Sequence, residues 1–406
     1  MRIKSFILVL LISIGLCKFC YAQTTVPAVI DFYGGPLDLP FDKSLDIGFE
    51  EKLSGAGILA FYEKIEASNY QPLIETLLKY KLNGKPDDWL YYQLIRRTAE
   101  RISPKAKNYN RYTLYKWFLL SKSGYDAMLC VSDNQLLFYV QSDDNIYNIP
   151  SRMKNGKQYV CLNYHDYGNI DFTKSRFAEV VLPINVASTA FSYRLTSLPH
   201  FKDSDYINKE LQFQYNNEDY KFTIRLNKEI GNIFRNYPVV DYASYMNVPL
   251  STETYGSLIP ALKKNMKGMS QRKGVDYLMQ FTRNAFSFEA DTKLFGQEKR
   301  LTPEQTLLYE NSDCEDRAAL FFYLVKEIYN LPMILLVYPE HVTTAIRFDK
   351  PIGKTILYRG EKYSVCEPTP QKRDLGVGQL PPALRNSSYE IGYAYHPGNS
   401  PLKGSK

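Results

Sequence analysis

A change of hydrophobic period near Tyr125 limits the folds open to this chain more than any other feature. Before it, apolar residues recur at helical spacing in four stretches, at about 49–66, 70–82, 86–102 and 108–122. After it, the apolar residues alternate with polar ones in runs separated by Asp, Asn and Gly turns, at 125–131, 135–141, 157–163 and 176–183. A block of helices followed by a block of strands predicts the α+β class.

The same order returns in the C-terminal third of the chain. Strand-like character continues through 190–226, and residues 235–255 then look irregular. Helices are expected at about 256–266, 271–286 and 314–329. Strands are expected after the last of them, at 333–338, 341–348, 354–359 and 361–366. This pattern predicts a helix packed on an antiparallel sheet.

A chain of 406 residues normally forms two or three domains. We predict an N-terminal α+β domain at 23–185, a β-rich connecting segment at 186–250 and a second α+β domain at 251–385. Residues 386–406 contain Pro and Gly, and we expect them to form a flexible tail.

The two α+β domains share an internal similarity. Residues 108–163 and 314–368 both run helix, strand, strand, strand, and the segment 155–161 echoes 359–366. The N-terminal domain could therefore be a degenerate copy of the C-terminal one. In that copy, the position matching Cys314 falls near Asn108, and the position matching His341 falls near Asn134 or Gln135.

The N-terminus has the layout of a secretory signal peptide. A basic start precedes an apolar run at 6–16, and small residues stand at the −3 and −1 positions before a cleavage site after Ala22. A lipoprotein anchor at Cys17 or Cys20 is less favoured, because Leu16 and Phe19 stand where a small residue is expected. No later apolar stretch predicts a transmembrane span. We expect a periplasmic or secreted protein.

The net charge limits the classes of binding partner, and the cysteine content limits the possible disulfides. Removing residues 1–22 takes away three basic residues and lowers the net charge from +7 to +4, and no dense Lys/Arg stripe predicts nucleic-acid binding. Export permits disulfides. Cys130 and Cys161 both lie in strand-like runs and could pair, and two buried free thiols are an equal alternative. The oligomeric state is open.

Cys314 stands at the predicted start of a helix. Ser312 with Glu315 fits a capping box, and Asp313 is an alternative cap. Either choice puts Cys314 in the first turn, where the helix dipole and free N–H groups lower a thiol pKa and can hold an oxyanion. The carboxylates of Asp313, Glu315 and Asp316 have the opposite effect and raise the thiol pKa by repulsion. The thiol therefore needs a base to become a thiolate.

The best base among the four histidines is His341, which opens a strand. Its second ring nitrogen needs an acceptor to orient it. Glu367 directly follows the predicted strand 361–366. If that strand pairs with 341–348, Glu367 lies beside His341.

These motifs carry a resemblance. The block at about 270–382 resembles the transglutaminase-like core of the papain-related superfamily, through the helix 275–281, the segment 300–307, the helix start 313–318, the strand-leading His341 and the run Cys366-Glu367-Pro368-Thr369. The resemblance implies a papain-like fold with Cys314 as nucleophile, His341 as base and Glu367 as orienting acid. It implies no metal or organic cofactor, and no CxxC or HExxH pattern suggests a metal site.

Two departures from that family matter. The family usually has Asp-Pro-Thr where this chain has Glu367-Pro368-Thr369. The family often has an alanine and then an aromatic residue after its histidine, where this chain has Val342 and Thr343. No tryptophan lies nearby to stabilise an oxyanion, so Gln305, Tyr309 or a backbone N–H could serve, with Asp313 as a supporting residue.

The residues predict an exported cysteine-dependent enzyme that transfers acyl groups from the amide bonds of a peptide, a protein or a cell-wall peptide. Hydrolysis is favoured over transamidation because water is abundant in the periplasm. The alternative is a non-catalytic binding or scaffolding protein of the cell envelope that keeps the fold.

Overall fold

The computed structural model describes residues 25–49, 52–132, 134–168, 170–172, 174–184, 188–285, 287–288 and 299–398. The predicted signal peptide at 1–22 and the end of the predicted tail lie outside these residues. None of the helices within these ranges is both long and apolar enough to cross a membrane.

The N-terminal half begins with a β-hairpin and four helices, which bury the aromatic residues that the helical period put on one face. The hairpin is β1 (Thr25–Phe32) and β2 (Gly35–Asp42), and the helices are α1 (Gly55–Glu66), α2 (Gln71–Gly84), α3 (Asp88–Ile102) and α4 (Tyr109–Lys122). Asn108 caps α4 by accepting a hydrogen bond from the backbone N–H of Arg111 at 2.9 Å. Helices α2, α3 and α4 begin and end within two residues of the predicted positions, whereas α1 begins six residues later than predicted.

A five-stranded antiparallel sheet follows. Its strands are β3 (Ala127–Ser132), β4 (Gln135–Gln141), β6 (Ser151–Lys154), β7 (Lys157–Cys161) and β8 (Ala178–Val180), in the order β6-β7-β4-β3-β8, and a two-residue strand β5 (Ile146–Tyr147) lies outside it. Helix α4 packs on β3 and β4, and α3 packs on α4. The sheet therefore has one face covered by helices, as expected of an antiparallel sheet in an α+β protein.

The predicted β-rich segment at 186–250 contains one long hairpin. Strands β9 (Tyr206–Tyr215) and β10 (Glu218–Asn227) pair along their whole length. Short elements follow, namely α5 (Glu229–Ile233), β11 (Val239–Val240) and α6 (Tyr242–Tyr245). The hairpin packs against the helices that come next in the chain, so it belongs structurally to the C-terminal half.

The C-terminal half repeats the helix-then-sheet order. Its helices are α7 (Thr252–Asn265), α8 (Gln271–Asn284), α9 (Pro303–Leu308) and α10 (Cys314–Tyr329), with the short parallel pair β12 (Ser287–Phe288) and β13 (Asn311–Ser312) between α8 and α10. The sheet contains β14 (Met333–Tyr338), β15 (His341–Ile346), β16 (Thr355–Tyr358), β17 (Glu361–Cys366) and β18 (Glu390–Tyr395), in the order β16-β17-β15-β14-β18. Helix α10 packs on β15 and on α8.

The two five-stranded sheets have the same topology. In each, the first two strands form a hairpin at the centre, the next two form a second hairpin on one side, and a fifth strand returns to pair with the first. Each second hairpin turns through a residue and a glycine with positive φ, Asn155-Gly156 and Arg359-Gly360. The similarity noticed in the sequence thus extends to strand order and register.

Two corrections concern the chain ends and the cysteines. The predicted flexible tail at 386–406 contains β18, which pairs with β14. The strand is held because its alternate residues pack inward, with the ring of Tyr393 5.5 Å from that of Phe322. The Pro and Gly residues around this strand were the reason for predicting a flexible tail.

The structure does not contain the possible disulfide between Cys130 and Cys161. Both are free and buried, and they lie on β3 and β7 with β4 between them. Two interstrand spacings put their Cα atoms roughly 10 Å apart, whereas a disulfide requires less than about 7 Å. The structure agrees with the alternative of two buried thiols. With its antiparallel sheets and segregated helices, the fold is mixed and compatible with the predicted α+β class.

Candidate active site

Cys314 is the first residue of α10, and Asp313 is its N-cap. The Asp313 carboxylate accepts from the backbone N–H of Asp316 at 3.1 Å, and the Asp316 carboxylate accepts from the N–H of Asp313 at 3.2 Å. This reciprocal box is the alternative cap of the sequence analysis, and the Ser312–Glu315 box is not formed. Glu315 is instead held by Arg300 Nε at 2.8 Å.

Hydrogen bonds with buried polar groups hold the start of α10 in place. The Asp316 carboxylate also accepts from the Leu301 N–H at 2.7 Å and from the Tyr245 hydroxyl at 3.2 Å. Arg317 is fully buried and donates to the carbonyls of Thr282 and Arg283 at the end of α8. These bonds leave the first turn of α10 little freedom, so the Cys314 thiol has a defined position.

The Cys314 thiol is half-buried and lies among negative charges. Burial raises its pKa to about 12, and the carboxylates of Asp313, Glu315 and Glu367 act in the same direction. The backbone N–H of Val342 acts in the opposite direction and lowers the pKa. Because Val342 directly follows His341, this effect indicates that the thiol lies near the end of β15 that carries the imidazole.

His341 and Glu367 are joined directly. Nε2 of His341 lies 2.8 Å from Oε2 of Glu367, whose side chain is fully buried. The other carboxylate oxygen accepts from the Thr369 N–H at 2.8 Å. Strands β15 and β17 pair as predicted, with Thr344 opposite Cys366, and so the residue after β17 falls beside the start of β15.

The longer side chain of Glu367 still reaches the imidazole. Its backbone carbonyl accepts a hydrogen bond from Arg283, which is buried and also forms an ion pair with Asp374. Gln280 donates to both oxygens of Asp374, at 2.7 and 2.8 Å. No local sequence signal indicates this support, because Arg283 and Asp374 are distant in the chain.

Gln305 and Tyr309, the two side chains considered as oxyanion donors, make their described contacts in other parts of the fold. Gln305 uses its side-chain oxygen to cap α9 with Thr302, and its Nε2 is buried without a partner among the residues described. The hydroxyl of Tyr309 lies towards α5, so close to Gly231 that a Cβ built there would be 3.1 Å from it. The first backbone N–H groups of α10 have no partner within the helix and are the nearest oxyanion donors.

A cavity of about 350 Å³ opens beside His341. Its walls come from the turn between β14 and β15 and from a short helical turn at Pro382–Leu384, and they include Tyr338, Pro339, Glu340, Gln371, Pro381, Ala383, Leu384 and Ser387. These lining residues were not predicted, because the sequence analysis placed the wall segment at the border of the expected tail. The cavity offers a peptide a mostly apolar binding surface next to the imidazole.

Within the described ranges, no group of three or more His, Cys, Asp or Glu residues is arranged to hold a metal ion. No family model, curated protein or solved structure matches this chain. No relative therefore assigns a role to Cys314, His341 or Glu367, and their chemistry follows from their own geometry.

Proposed function

We propose that this chain is an exported, cysteine-dependent enzyme of the transglutaminase-like kind that acts on the amide bonds of peptides or proteins. The observation that carries the proposal is the 2.8 Å bond between His341 Nε2 and Glu367 Oε2, at the start of the strand β15, on which the helix that Cys314 opens is packed. A nucleophile, a base and a group that orients the base are the parts required for thiol catalysis.

The proposed mechanism has the following proton transfers. Because Nε2 of His341 faces Glu367, Nδ1 is the nitrogen that exchanges a proton with Cys314. The sulfur gives its proton to Nδ1 and attacks the amide carbon. The C–N bond then breaks, the amine leaves with the proton from His341, and a thioester remains on Cys314. Water attacks the thioester, His341 takes one of its protons, and the acid product leaves as the thiol is restored.

The electrostatics of the site favour a thiol that becomes nucleophilic only together with the imidazole. Burial and three carboxylates raise the Cys314 pKa to about 12, so the sulfur is protonated at neutral pH. Transfer of that proton to the imidazole leaves a positive charge beside the sulfur, and the Glu367 carboxylate faces the same ring. Glu367 thus acts through His341, as a positioning residue.

The cavity beside His341 supports a peptide or protein substrate, since its apolar wall suits a side chain and Gln371 and Ser387 offer polar groups to a backbone. Hydrolysis is favoured because water outside the cytoplasm is the most abundant acceptor. The basic and apolar start of the chain supports export. The proposal involves no metal, organic cofactor or nucleic acid.

One observation favours a second candidate, a non-catalytic binding or scaffolding protein of the cell envelope. The pKa of Cys314 is raised, whereas most reactive cysteines have a lowered one. In that case the sulfur is a packing atom, and Glu367 merely satisfies a half-buried histidine.

Peptide turnover separates the two. The mature chain is incubated with a mixed peptide library, and the new amino and carboxyl termini are read by mass spectrometry, with Cys314→Ala as the matched control. The enzyme proposal expects cleavage in the wild type alone. Cleavage of equal extent in Cys314→Ala would refute thiol catalysis, and no cleavage by either protein favours the binding protein.

A further inference from the structure

A second cavity, of about 650 Å³, lies in the N-terminal half. Helices α3 and α4 and the segment after α5 enclose it. The residues that matter for its chemistry are Gln93, Arg96, Arg97, Lys105, Tyr109 and Arg235. It is larger than the cavity beside His341, and the proposed catalytic residues do not line it.

This cavity stands where the repeated topology would put an active site. Tyr109 is the first residue of α4, after the cap Asn108, as Cys314 is the first residue of α10 after the cap Asp313. Gln135 opens the second strand of its sheet, as His341 does.

The acid position is replaced as well. Asn163 lies as far along the chain from the turn glycine Gly156 as Glu367 lies from Gly360. Counted in the same way from the turn glycine, Cys161 corresponds to Val365. The sequence comparison had matched Cys161 with Cys366, one residue further along the chain.

The replaced residues form a closed hydrogen-bonded group. Asn163 Nδ2 donates to the Tyr109 hydroxyl at 2.8 Å, and that hydroxyl donates to Asp166 at 2.9 Å. The tyrosine is therefore engaged on both sides and offers no activated nucleophile. The cleft is present although it has no activated nucleophile, which is consistent with binding rather than catalysis.

The cleft is built for an anion. Four of its lining residues are cationic, namely Arg96, Arg97, Lys105 and Arg235, and Glu100 is the one carboxylate among the residues lining it. Among the described residues, no carboxylate forms an ion pair with Arg96 or Arg235, while Arg97 has Glu229 at 3.8 Å and Lys105 has Asp166 at 2.5 Å. The guanidinium groups of Arg96 and Arg235 therefore retain charge that a ligand can neutralise.

A buried donor points to the same chemistry. Gln93 is 6% exposed, and its oxygen accepts from Arg96 at 2.9 Å. Its Nε2 has no hydrogen-bond partner among the residues described. An unpaired buried N–H group is costly. A rotation of the Gln93 side chain towards the cleft that it lines would let an anionic oxygen satisfy this group.

We propose that this cleft binds the free carboxylate of a short peptide or peptide-like acid. A planar carboxylate can be held by the fork of Arg96 together with Gln93 Nε2. The rings of Tyr33, Tyr109 and Tyr112 in its lining give the organic part of such a ligand an amphipathic wall. This inference concerns a site other than Cys314, and it stands or falls independently of the proposed catalysis.

Calorimetric titration tests the proposal. The protein is the mature Cys314→Ala chain, so that no turnover consumes the ligand. The probes are a pool of N-acetylated tripeptides with free carboxyl termini, the same pool as C-terminal amides, and inorganic phosphate. The free acids should bind more tightly than the amides by about tenfold or more, as loss of a charge-assisted hydrogen bond predicts.

Two variants and one control locate the binding. Arg96→Gln and the exposed Arg235→Gln should each weaken binding of the free acids, Arg96→Gln by about tenfold. Lys79→Gln, which removes the same charge from an exposed position on α2, should leave it unchanged. Arg235→Gln keeps the test valid if Arg96→Gln fails to fold.

Three results would overturn the proposal. They are equal binding of acids and amides, binding of the acids that neither arginine variant weakens, and no binding of the acid pool. Binding of phosphate without binding of the acids would also overturn it.

Discussion

The imidazole of His341 and the carboxylate of Glu367 form a hydrogen bond of 2.8 Å, although Glu367 carries one methylene more than the aspartate usual in the family that the sequence resembles. The extra length is absorbed because Glu367 is fully buried, with its backbone held by Arg283 and its second oxygen by the Thr369 N–H. The site is thus adapted to a glutamate, and an aspartate would be too short for it.

That adaptation makes a prediction about two substitutions. Glu367→Gln keeps the length and removes the charge, whereas Glu367→Asp keeps the charge and withdraws the carboxylate. We expect both to lower kcat/KM by roughly 10- to 100-fold, less than the loss of about 100- to 10,000-fold expected of His341→Ala, because general-base catalysis contributes on that scale.

The measurement is the rate of cleavage of the peptide found in the library experiment, together with its pH profile. Full activity in Glu367→Asp would show that the reach of this side chain has no part in orienting His341.

The cap of α10 predicts a separable effect on the thiol. Asp313→Asn keeps an N-cap of similar quality, so the free energy of unfolding should change by less than about 0.5 kcal/mol. It also removes one of the charges that raise the Cys314 pKa, and the pKa should therefore fall.

Chemical denaturation and the pH dependence of Cys314 alkylation measure the two effects. Asp313→Ala is the matched control, because it removes the same charge and also the cap. It should show the same shift in alkylation and a loss of about 1 kcal/mol of stability. An alkylation profile that either variant leaves unmoved would contradict the assigned electrostatics.

The N-terminal core contains a buried lysine that predicts a pH dependence of stability. Lys116 is 1% exposed, and burial lowers its pKa to about 7. In the unfolded chain the same group keeps its proton up to about pH 10.4. The unfolded state thus binds more protons between these values, so this group opposes folding at pH 7 and below, and its penalty is lost as the pH rises towards 10.

Lys116→Met should therefore stabilise the protein below pH 7, by an amount on the order of a few kcal/mol at most. The gain should shrink towards pH 10. Urea unfolding at pH 6, 8 and 10 tests this, with the exposed Lys79→Met as control. A variant less stable than the wild type at every pH would mean that the ammonium group is well paired in the folded state.

The elements that the sequence predicted best are those with local signals at both ends. The helix Cys314–Tyr329 and the strands Met333–Tyr338 and Glu361–Cys366 have the predicted bounds. A cap at Asp313, a left-handed Asn330 and the turn Arg359-Gly360 mark their ends, and such punctuation acts within a few residues.

What the sequence could not predict depends on contacts between distant residues. Strand β18 is stable only because β14 offers it an edge, and its own flanking residues indicate disorder. Arg283 and Asp374 support Glu367 from two separate segments. The lining of the cleft at Arg96 and Arg235 likewise comes from helix α3 and from the segment after α5.

The same distinction between local signals and contacts of distant residues applies to the candidate site. Cys314, His341 and Glu367 could be named because each stands at the end of a predicted element, and ends of elements meet at one edge of a sheet. Gln305 and Tyr309 could not be judged, since the direction of a side chain depends on packing. Gln305 turned out to serve the cap of α9.

The pH dependence of Cys314 alkylation by iodoacetamide, followed by peptide mass spectrometry in the wild type and in His341→Ala, tests the central claim most directly. If His341 shares a proton with the sulfur, the wild type reacts well below the ordinary thiol pKa of about 8.5, and His341→Ala reacts only at much higher pH because burial and the carboxylates remain. Identical profiles in the two proteins, rising only above the ordinary thiol pKa, would contradict the account.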